Sequence, residues 1–404
     1  MRKQMDPKTL LEQEEQEQES EKPPSIKPRP ARPWRVAVIA NIKGETSLPH
    51  DGPPDAGAEF DRMETIQAIR SAIESDGHVT SFLPADSNLP ERLKKFYPDI
   101  CFNIAEGMGG DAREAQVPAL LEMLHVPYTA SRVLANAVAL DKTMTKRIWR
   151  DMDLPTASFQ EFATGEEPLS SHLTFPLFVK PAREGTGMGM DGGSIVYDEQ
   201  QLRNRVRYVI ETYRQPALVE DYLPGREFTV GVLGRADAAR YSLRPDLYAA
   251  DGFHRFPILE VEASSSVTPG VYGNLAKTLH EGDAGIPDFI CPADVEPVLA
   301  QKLQDLAIRG HLAVGAVDVS RLDFRLDAAG EPRLIEINSL PGLSPGFSDL
   351  CVIAQAEGIT YQEIILEILY LGASRFGLLQ PAGEESQSVK INVSEVVQMH
   401  LDYD

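Results

Sequence analysis

Val317–Gly342, VDVSRLDFRLDAAGEPRLIEINSLPG, decides how this chain folds. VDVSRLDFRL and RLIEINSL are strand-like and flank the turn-forming DAAGEP, so the segment reads as an antiparallel hairpin. Centring the turn between Ala329 and Gly330 sets Asp323 opposite Glu336 and Arg321 opposite Asn338. Side chains alternate faces along a strand, so Arg321 and Asp323 share one face, as do Glu336 and Asn338. One patch therefore carries two carboxylates, an amide oxygen and a guanidinium, with Pro341 and Gly342 just beyond. Facing carboxylates repel unless a cation lies between them. An oxygen-only donor set without His or Cys suits a hard ion such as Mg²⁺, which commonly bridges substrate phosphates. The plainer alternative is a solvated hairpin face with ordinary cross-strand ion pairs. The polar positions interrupt otherwise apolar strands, which favours a metal–nucleotide site.

Working outward, the chain of 404 residues has room for two or three domains, and 42% hydrophobic with 25% charged residues is an ordinary soluble composition. A net charge of −22 disfavours nucleic acid and anionic membrane as partners but is compatible with a nucleotide held by local Lys and Arg. No apolar run approaches the roughly 20 residues a bilayer requires, and no signal-peptide core is evident, so membrane insertion is not expected. Cys101, Cys291 and Cys351 are scattered and odd in number, as expected of reduced thiols in a cytoplasmic protein. Residues 1–33 combine the Glu/Gln run LEQEEQEQESE with the Pro-rich PPSIKPRPARP and read as a flexible extension. Residues 380–404 read as a polar tail with one weak alternating run, KINVSEVV.

Between these ends, residues 34–132 alternate strand and helix signals. These are the apolar run at Trp34–Ala40, a helical pattern from Ala58, strands at HVTSFLPA and DICFNIAEG, and ERLKKFY as a short helix. This pattern predicts a small parallel-sheet domain, whose ligands sit beyond the carboxyl ends of the strands. Glu106–Glu114, EGMGGDARE, falls there. Asp141-Lys142 opens a helix, and FPLFVKPAREGTGMG carries Lys180 on a strand into a Gly-rich loop. Glycines let backbone N–H groups approach phosphate oxygens, and a lysine supplies the counter-charge; a hairpin tip is the plainer reading. Glu220 and Glu227 flank a Pro-Gly turn between two further strands, as acceptors for a nucleotide amino group or ribose, or as solvated strand ends. Residues 263–292 read as a long polar loop bearing Tyr272 and Lys277, placed to close over a site. EPVLAQKLQDLAIRGHLA is an amphipathic helix, and two more helices follow the hairpin.

Taken together, these motifs resemble the ATP-grasp superfamily and, within it, D-alanine–D-alanine ligase. The matching pieces, in order, are EG-x-GG, PALLEMLHVPYTAS, LDK at 140–142, FVKPAREGTGMG, VEDYLPGREFTV, the Lys277 loop, SRLDF and LIEINSLPGL. The resemblance implies an ATP-grasp fold of mixed α/β and α+β class, preceded by a Rossmann-like N-terminal domain. It divides the chain into a substrate domain at 34–132, a central subdomain at 133–220 and a metal-bearing C-terminal subdomain at 221–379. It implies ATP phosphates on Lys142, Lys180 and Lys277, adenine beside Glu220 and ribose on Glu227. Two Mg²⁺ ions, or Mn²⁺, would lie on Asp323, Glu336 and Asn338, and Arg321 with the Gly342 N–H would stabilise an oxyanion. Peptide-bond formation through an acyl-phosphate, for peptidoglycan precursors, follows as the expected activity, along with the homodimer common in the family.

The departures fall in the amino-acid pockets. The Gly-rich loop and acid that grip the first amino group are absent, and Glu59, Asp61 or Glu64 stand in. Glu106 occupies the place of a His, Thr186 that of a Ser, and Thr278 that of a Tyr. Ser348 keeps the position facing the second carboxylate, but Asp349 is an added acid beside it. D-alanyl–D-alanine synthesis is therefore the first expectation. A related ligase acting on a different carboxylate and amine comes second, and a non-catalytic nucleotide-binding protein third.

Overall fold

A computed structural model describes residues 28, 30–46, 48, 52–262, 271 and 288–381. Strands β1 (Arg35–Ala40), β2 (Val79–Pro84) and β3 (Ile100–Asn103) form a parallel sheet in the order β2-β1-β3. From Val36 to Ala40 β1 is apolar because it is covered on both faces. Val36, Val38 and Ala40 face Ile66, Ile69 and Ile73 of α1 (Met63–Glu74), whereas Ala37 and Ile39 face Leu89 and Leu93 of α2 (Leu89–Phe96) and Leu121 of α3 (Gln116–Met123). The helical pattern expected from Ala58 begins only at Met63. Asp61 instead bridges back to β1's extension, its N–H donating to the Asn41 carbonyl (3.1 Å) and its carbonyl accepting from the Lys43 N–H (2.9 Å). These long-range bonds prevail over local helix propensity. Arg32, within the predicted extension, hydrogen-bonds Asp99 at 2.9 Å.

After α4 (Val133–Leu140), the Asp141 carboxylate caps α5 (Lys142–Asp151) by accepting from the Met144 N–H at 2.9 Å. A four-stranded antiparallel sheet follows, with β4 (Phe159–Phe162), β5 (Leu177–Pro181), β6 (Ile195–Val196) and β7 (Ala217–Asp221) in the order β4-β7-β5-β6. Its apolar face packs on Leu202, Val206 and Val209 of α6 (Glu199–Tyr213). β7 and the next strand, β8 (Glu227–Gly234), flank the Pro-Gly turn yet belong to different sheets. The second sheet adds β9 (Phe253–Arg255), β10 (Leu259–Glu262), β11 (Asp288–Ile290), β12 (Asp318–Leu326) and β13 (Pro332–Asn338). Its order is β11-β10-β8-β12-β13, with β9 also on β8. The expectation of an uninterrupted loop over 263–292 is thus corrected at its end, where Asp288–Ile290 pairs with β10.

The hairpin β12–β13 pairs Asp323 with Glu336 and Arg321 with Asn338, as its sequence implies. The register shifts between Asp323 and Phe324, so that Phe324 faces Leu334 and the tip centres on Ala329. Asp327 closes that tip, its carboxylate accepting from the Ala329 and Glu331 N–H groups at 2.9 Å each. The bulge leaves Ile335 and Glu336 both on the site side of β13. On the opposite face, Leu322, Phe324 and Leu326 bury against Leu303, Leu306 and Ala307 of α7 (Pro297–Ala313). Burying such side chains contributes about 1.5–3 kcal/mol each, which holds the polar face in register. After α8 (Asp349–Ala356), α9 (Tyr361–Arg375) runs back to the first sheet and buries Ile365, Ile368 and Leu369 against α1. Arg375 seals this return on the fully buried Asp318 at 2.9 Å.

Candidate active site

The pleat of the second sheet arranges the polar side chains in rows across β8, β12 and β13. Gly231, Arg321 and Asn338 form one row, Thr229, Asp323 and Glu336 the next, and Glu227 and Arg325 a third. The Asp323 carboxylate accepts from the Thr229 hydroxyl (2.9 Å) and from Arg321 Nε and Nη2 (3.1 and 3.0 Å). Arg321 Nη1 reaches Asp349 at 3.0 Å, so the added acid is neutralised by this guanidinium. Burial disfavours the Arg321 charge, but Asp323, Asp349 and Glu336 more than offset this and raise its pKa. Gly342 lies in the loop beyond β13. A Cβ there would come within 2.9 Å of Ser348 Oγ, which itself accepts from the Ser344 N–H at 2.9 Å, so a side chain at 342 would displace that hydroxyl.

A cleft opens between the two antiparallel sheets. Phe178, Tyr222, Leu223 and Ile335 supply its apolar walls, while Lys180, Glu220, Glu227, Asp323, Arg325 and Glu336 supply its charges. Lys180 Nζ lies 2.7 Å from Glu220, and Lys146 Nζ approaches the same carboxylate at 2.9 Å from the other side. Burial opposes ionisation of Glu220, yet the Lys146 and Lys180 ammonium groups overcome it and hold the carboxyl down at about 2. Lys142 pairs with Glu336 at 3.2 Å and also donates to the Glu184 carbonyl. Each carboxylate of the proposed metal set thus has a protein cation beside it. The donors Asp323, Glu336 and Asn338 are hard oxygens on one face, the chemistry that suits Mg²⁺. Among the described residues, no group of three His, Cys, Asp or Glu is gathered as a metal cluster, and the third donor here is an amide.

A second constellation lies at the carboxyl end of the N-terminal sheet. Arg113 grips Glu59 with Nε and Nη2 (2.9 Å each), reaches Glu184 with Nη2 (3.0 Å) and donates from Nη1 to the Arg183 carbonyl (2.9 Å). Around it the remaining carboxyls resist ionisation. Burial alone pushes Asp61 up to about 7. Glu114 is also pushed to about 7, by burial and by Glu59 and Glu336, with Arg113 and Lys142 opposing. Glu106 is raised well above its ordinary value by burial and by Glu59, Glu114 and Asp61. Glu64, by contrast, is exposed in the first turn of α1.

The structure therefore brings Lys142, Lys180, Glu220, Glu227, Arg321, Asp323, Glu336 and Asn338 to the facing surfaces of the two sheets. Thr186, half-buried in the Gly-rich loop, adopts a positive φ of 51°. Tyr272, Lys277 and Thr278 lie outside the described residues. Sequence reasoning missed Lys146 and Arg325; it singled out Arg113 as a substrate contact but not its ion pairs with Glu59 and Glu184. Two-residue alternation from Arg321 and Asp323 signals Arg325, and a four-residue helical step from Lys142 signals Lys146. No local pattern signals the Arg113–Glu59–Glu184 contact, whose partners come from distant segments.

A family profile described as "D-ala D-ala ligase C-terminus" matches residues 148–370. A D-alanine–D-alanine ligase of Nitrosococcus oceani is 32% identical over 303 residues, covering 74% of this chain and 84% of its own length. In Sinorhizobium fredii two relatives match. One is the uncharacterized protein y4sG, 32% identical over 355 residues (85% of this chain, 98% of that protein). The other is a D-alanine–D-alanine ligase, 31% identical over 301 residues (74% and 88%). The crystal structure of a Bacillus anthracis D-alanine–D-alanine ligase complexed with ATP superposes with a TM-score of 0.62 at 20% identity, over 85% of this chain and 98% of that one. The fold is thus ATP-grasp, and the chain belongs to the D-alanine–D-alanine ligase family of ligases. No helix among the described residues is long and apolar enough to cross a membrane.

Proposed function

We propose that this protein is an ATP-dependent carboxylate–amine ligase working through an acyl-phosphate, with D-alanine as the first substrate to test at both positions. What carries the reading is the cross-strand pair Asp323–Glu336 on one cleft with Lys180, and Lys142 paired to Glu336. A substrate carboxylate attacks the γ-phosphorus of ATP, ADP departs, and the acyl-phosphate forms. An amine then attacks the acyl carbon, phosphate leaves, and the ammonium proton is lost. Phosphoryl transfer needs positioning and charge neutralisation more than covalent chemistry. In this reading Lys142 and Lys180 hold phosphates, Glu220 and Glu227 hold adenine and ribose, and Arg321 with the Gly342 N–H faces the oxyanion. Asp323, Glu336 and Asn338 would hold two Mg²⁺ ions, which when bound supply charge neutralisation. Lys277, Tyr272 and Thr278 belong to the segment we assign to closing the site, which protects the acyl-phosphate from water. The accompanying division is an extension at 1–33, subdomains at 34–132, 133–220 and 221–379, and a tail at 380–404. The reading also carries a cytoplasmic location, a homodimer and a role in peptidoglycan precursor synthesis.

A second reading, ligation of a different carboxylate–amine pair, is favoured by the substrate-facing side chains. Asp349 occupies Arg321, and the cluster of Asp61, Glu106 and Glu114 would receive an ammonium group. Sinorhizobium fredii likewise holds both a D-alanine–D-alanine ligase and y4sG, and y4sG matches over nearly its whole length. ADP release from Mg-ATP with D-alanine, with mass spectrometry of the product, separates the two. A D-alanyl–D-alanine peak establishes the first reading. Nucleotide binding without turnover of D-alanine removes it and calls for a screen of other carboxylate–amine pairs.

A further inference from the structure

The connection after β1 grips the Gly-rich loop of the central sheet at both ends. At one end, Asp55 accepts from the Gly189 N–H (2.9 Å) and from the Tyr213 hydroxyl (3.0 Å to each oxygen). At the other, Glu59 holds Arg113, which donates to the Arg183 carbonyl and pairs with Glu184. Between them the approach is tight: a Cβ on Gly185 would lie 3.2 Å from Glu59 Oε2. Gly189 adopts a φ of +72°, and a Cβ there would stand 2.5 Å from Pro181, so its backbone lies hard against the end of β5. The loop's inner side is held to Lys142, whose Nζ donates to the Glu184 carbonyl while pairing with Glu336.

We propose that residues 52–61 form a strap on the 183–189 loop, and that Asp55, Glu59 and Arg113 are positioning residues that set this loop for nucleotide phosphates. The inference rests on the ligase reading. Its physical basis is entropic. Glycine backbone is costly to order, and a loop already ordered by buried charged contacts leaves less of that cost to nucleotide binding. The same contacts run from the N-terminal carboxyl cluster through Arg113 and Glu184 to Lys142, so the amino-acid side of the site and its phosphate side share one set of bonds.

The test compares Asp55→Ala, Asp55→Asn and Tyr213→Phe with the full-length wild type. Each is measured for affinity for a non-hydrolysable ATP analogue with Mg²⁺, for amide hydrogen exchange over residues 183–190, and for melting temperature. Loss of hydrogen bonds to a charged group predicts that Asp55→Ala binds the analogue about tenfold more weakly and exchanges faster in the loop. Asp55→Asn still offers an acceptor to the Gly189 N–H and stays near the wild type in both. A folded Asp55→Ala that matches the wild type in affinity and loop exchange overturns the strap. If Asp55→Ala fails to fold, Tyr213→Phe and Glu59→Ala decide: each is expected to exchange faster over the loop, and wild-type behaviour in both overturns it. A wild type that binds no nucleotide overturns the ligase reading instead, and the strap's role with it.

Discussion

Lys146→Met removes one of the two ammonium groups that hold Glu220. Lys146 is fully buried; its Nζ lies 2.9 Å from Glu220, 2.7 Å from the Thr156 hydroxyl and 3.3 Å from the Leu334 carbonyl. Removing one partner of a buried pair costs about 3–5 kcal/mol, and the remaining Lys180 contact puts this site at about 3 kcal/mol. The pKa of Glu220 reports what Lys146 and Lys180 do together against burial. A carboxyl lowered from 4.5 to about 2 contributes stability above 4.5 that is lost as pH falls through 2. At 1.36 kcal/mol per pKa unit the net shift is about 3 kcal/mol, of which Lys146 supplies a part, while burial lowers the pKa of Lys146 itself. At roughly 2 °C per kcal/mol, the variant should melt about 6 °C below the wild type at pH 7.5. The gap should narrow as pH falls from 4.5 towards 2, because the wild type loses there what the variant already lacks. Tryptophan fluorescence is a suitable assay, since Trp149 on the same helix is fully buried and donates to the Gly310 carbonyl at 3.1 Å. A variant melting within about 1 °C of the wild type at pH 7.5 would refute the claim that Lys146 compensates Glu220.

Asp323→Asn should abolish turnover while the protein stays folded, because the amide keeps an acceptor for Thr229 but removes a charge from the proposed metal set; ADP release under saturating Mg-ATP checks it. Arg321→Ala should lower kcat far more than affinity for ATP if, as proposed, its charge acts on the developing acyl-phosphate, and unchanged turnover would sink that role. Asp61 is raised from 3.8 to about 7, so its contribution to stability is complete below 3.8 and is lost as pH rises through 7, at most about 4 kcal/mol. The wild type should therefore lose melting temperature as pH rises from 3.8 to about 7, and Asp61→Asn should reduce that slope, with Glu106 and Glu114 supplying the rest. Deleting residues 1–27 should leave ADP formation intact; a folded truncated protein without nucleotide binding would show that the extension takes part.

Local pattern is read directly from the chain where neighbours in sequence are neighbours in space. The β12–β13 register needed only alternation and a turn, and Asp323 faces Glu336 as that arithmetic requires. The bulge that places Ile335 in the cleft wall was not legible, because one extra residue leaves no periodic trace. α1 shows the opposite failure: helical spacing extended from Ala58, but the bonds Asp61 makes, donating to Asn41 and accepting from Lys43, pull that turn out of the helix.

Alternation and turn chemistry, which are short-range, made the hairpin register and the oxygen-donor face legible in the chain, while the ATP-grasp class came through the order of motifs that resemble the family. Which charges compensate one another was settled by packing. Arg321 pairs with Asp349, Lys146 and Lys180 share Glu220, and Arg113 joins Glu59 to Glu184. A buried ion must find its partner within about 4 Å, and the segments that supply it are set by how sheets and helices pack, which no single stretch of chain encodes.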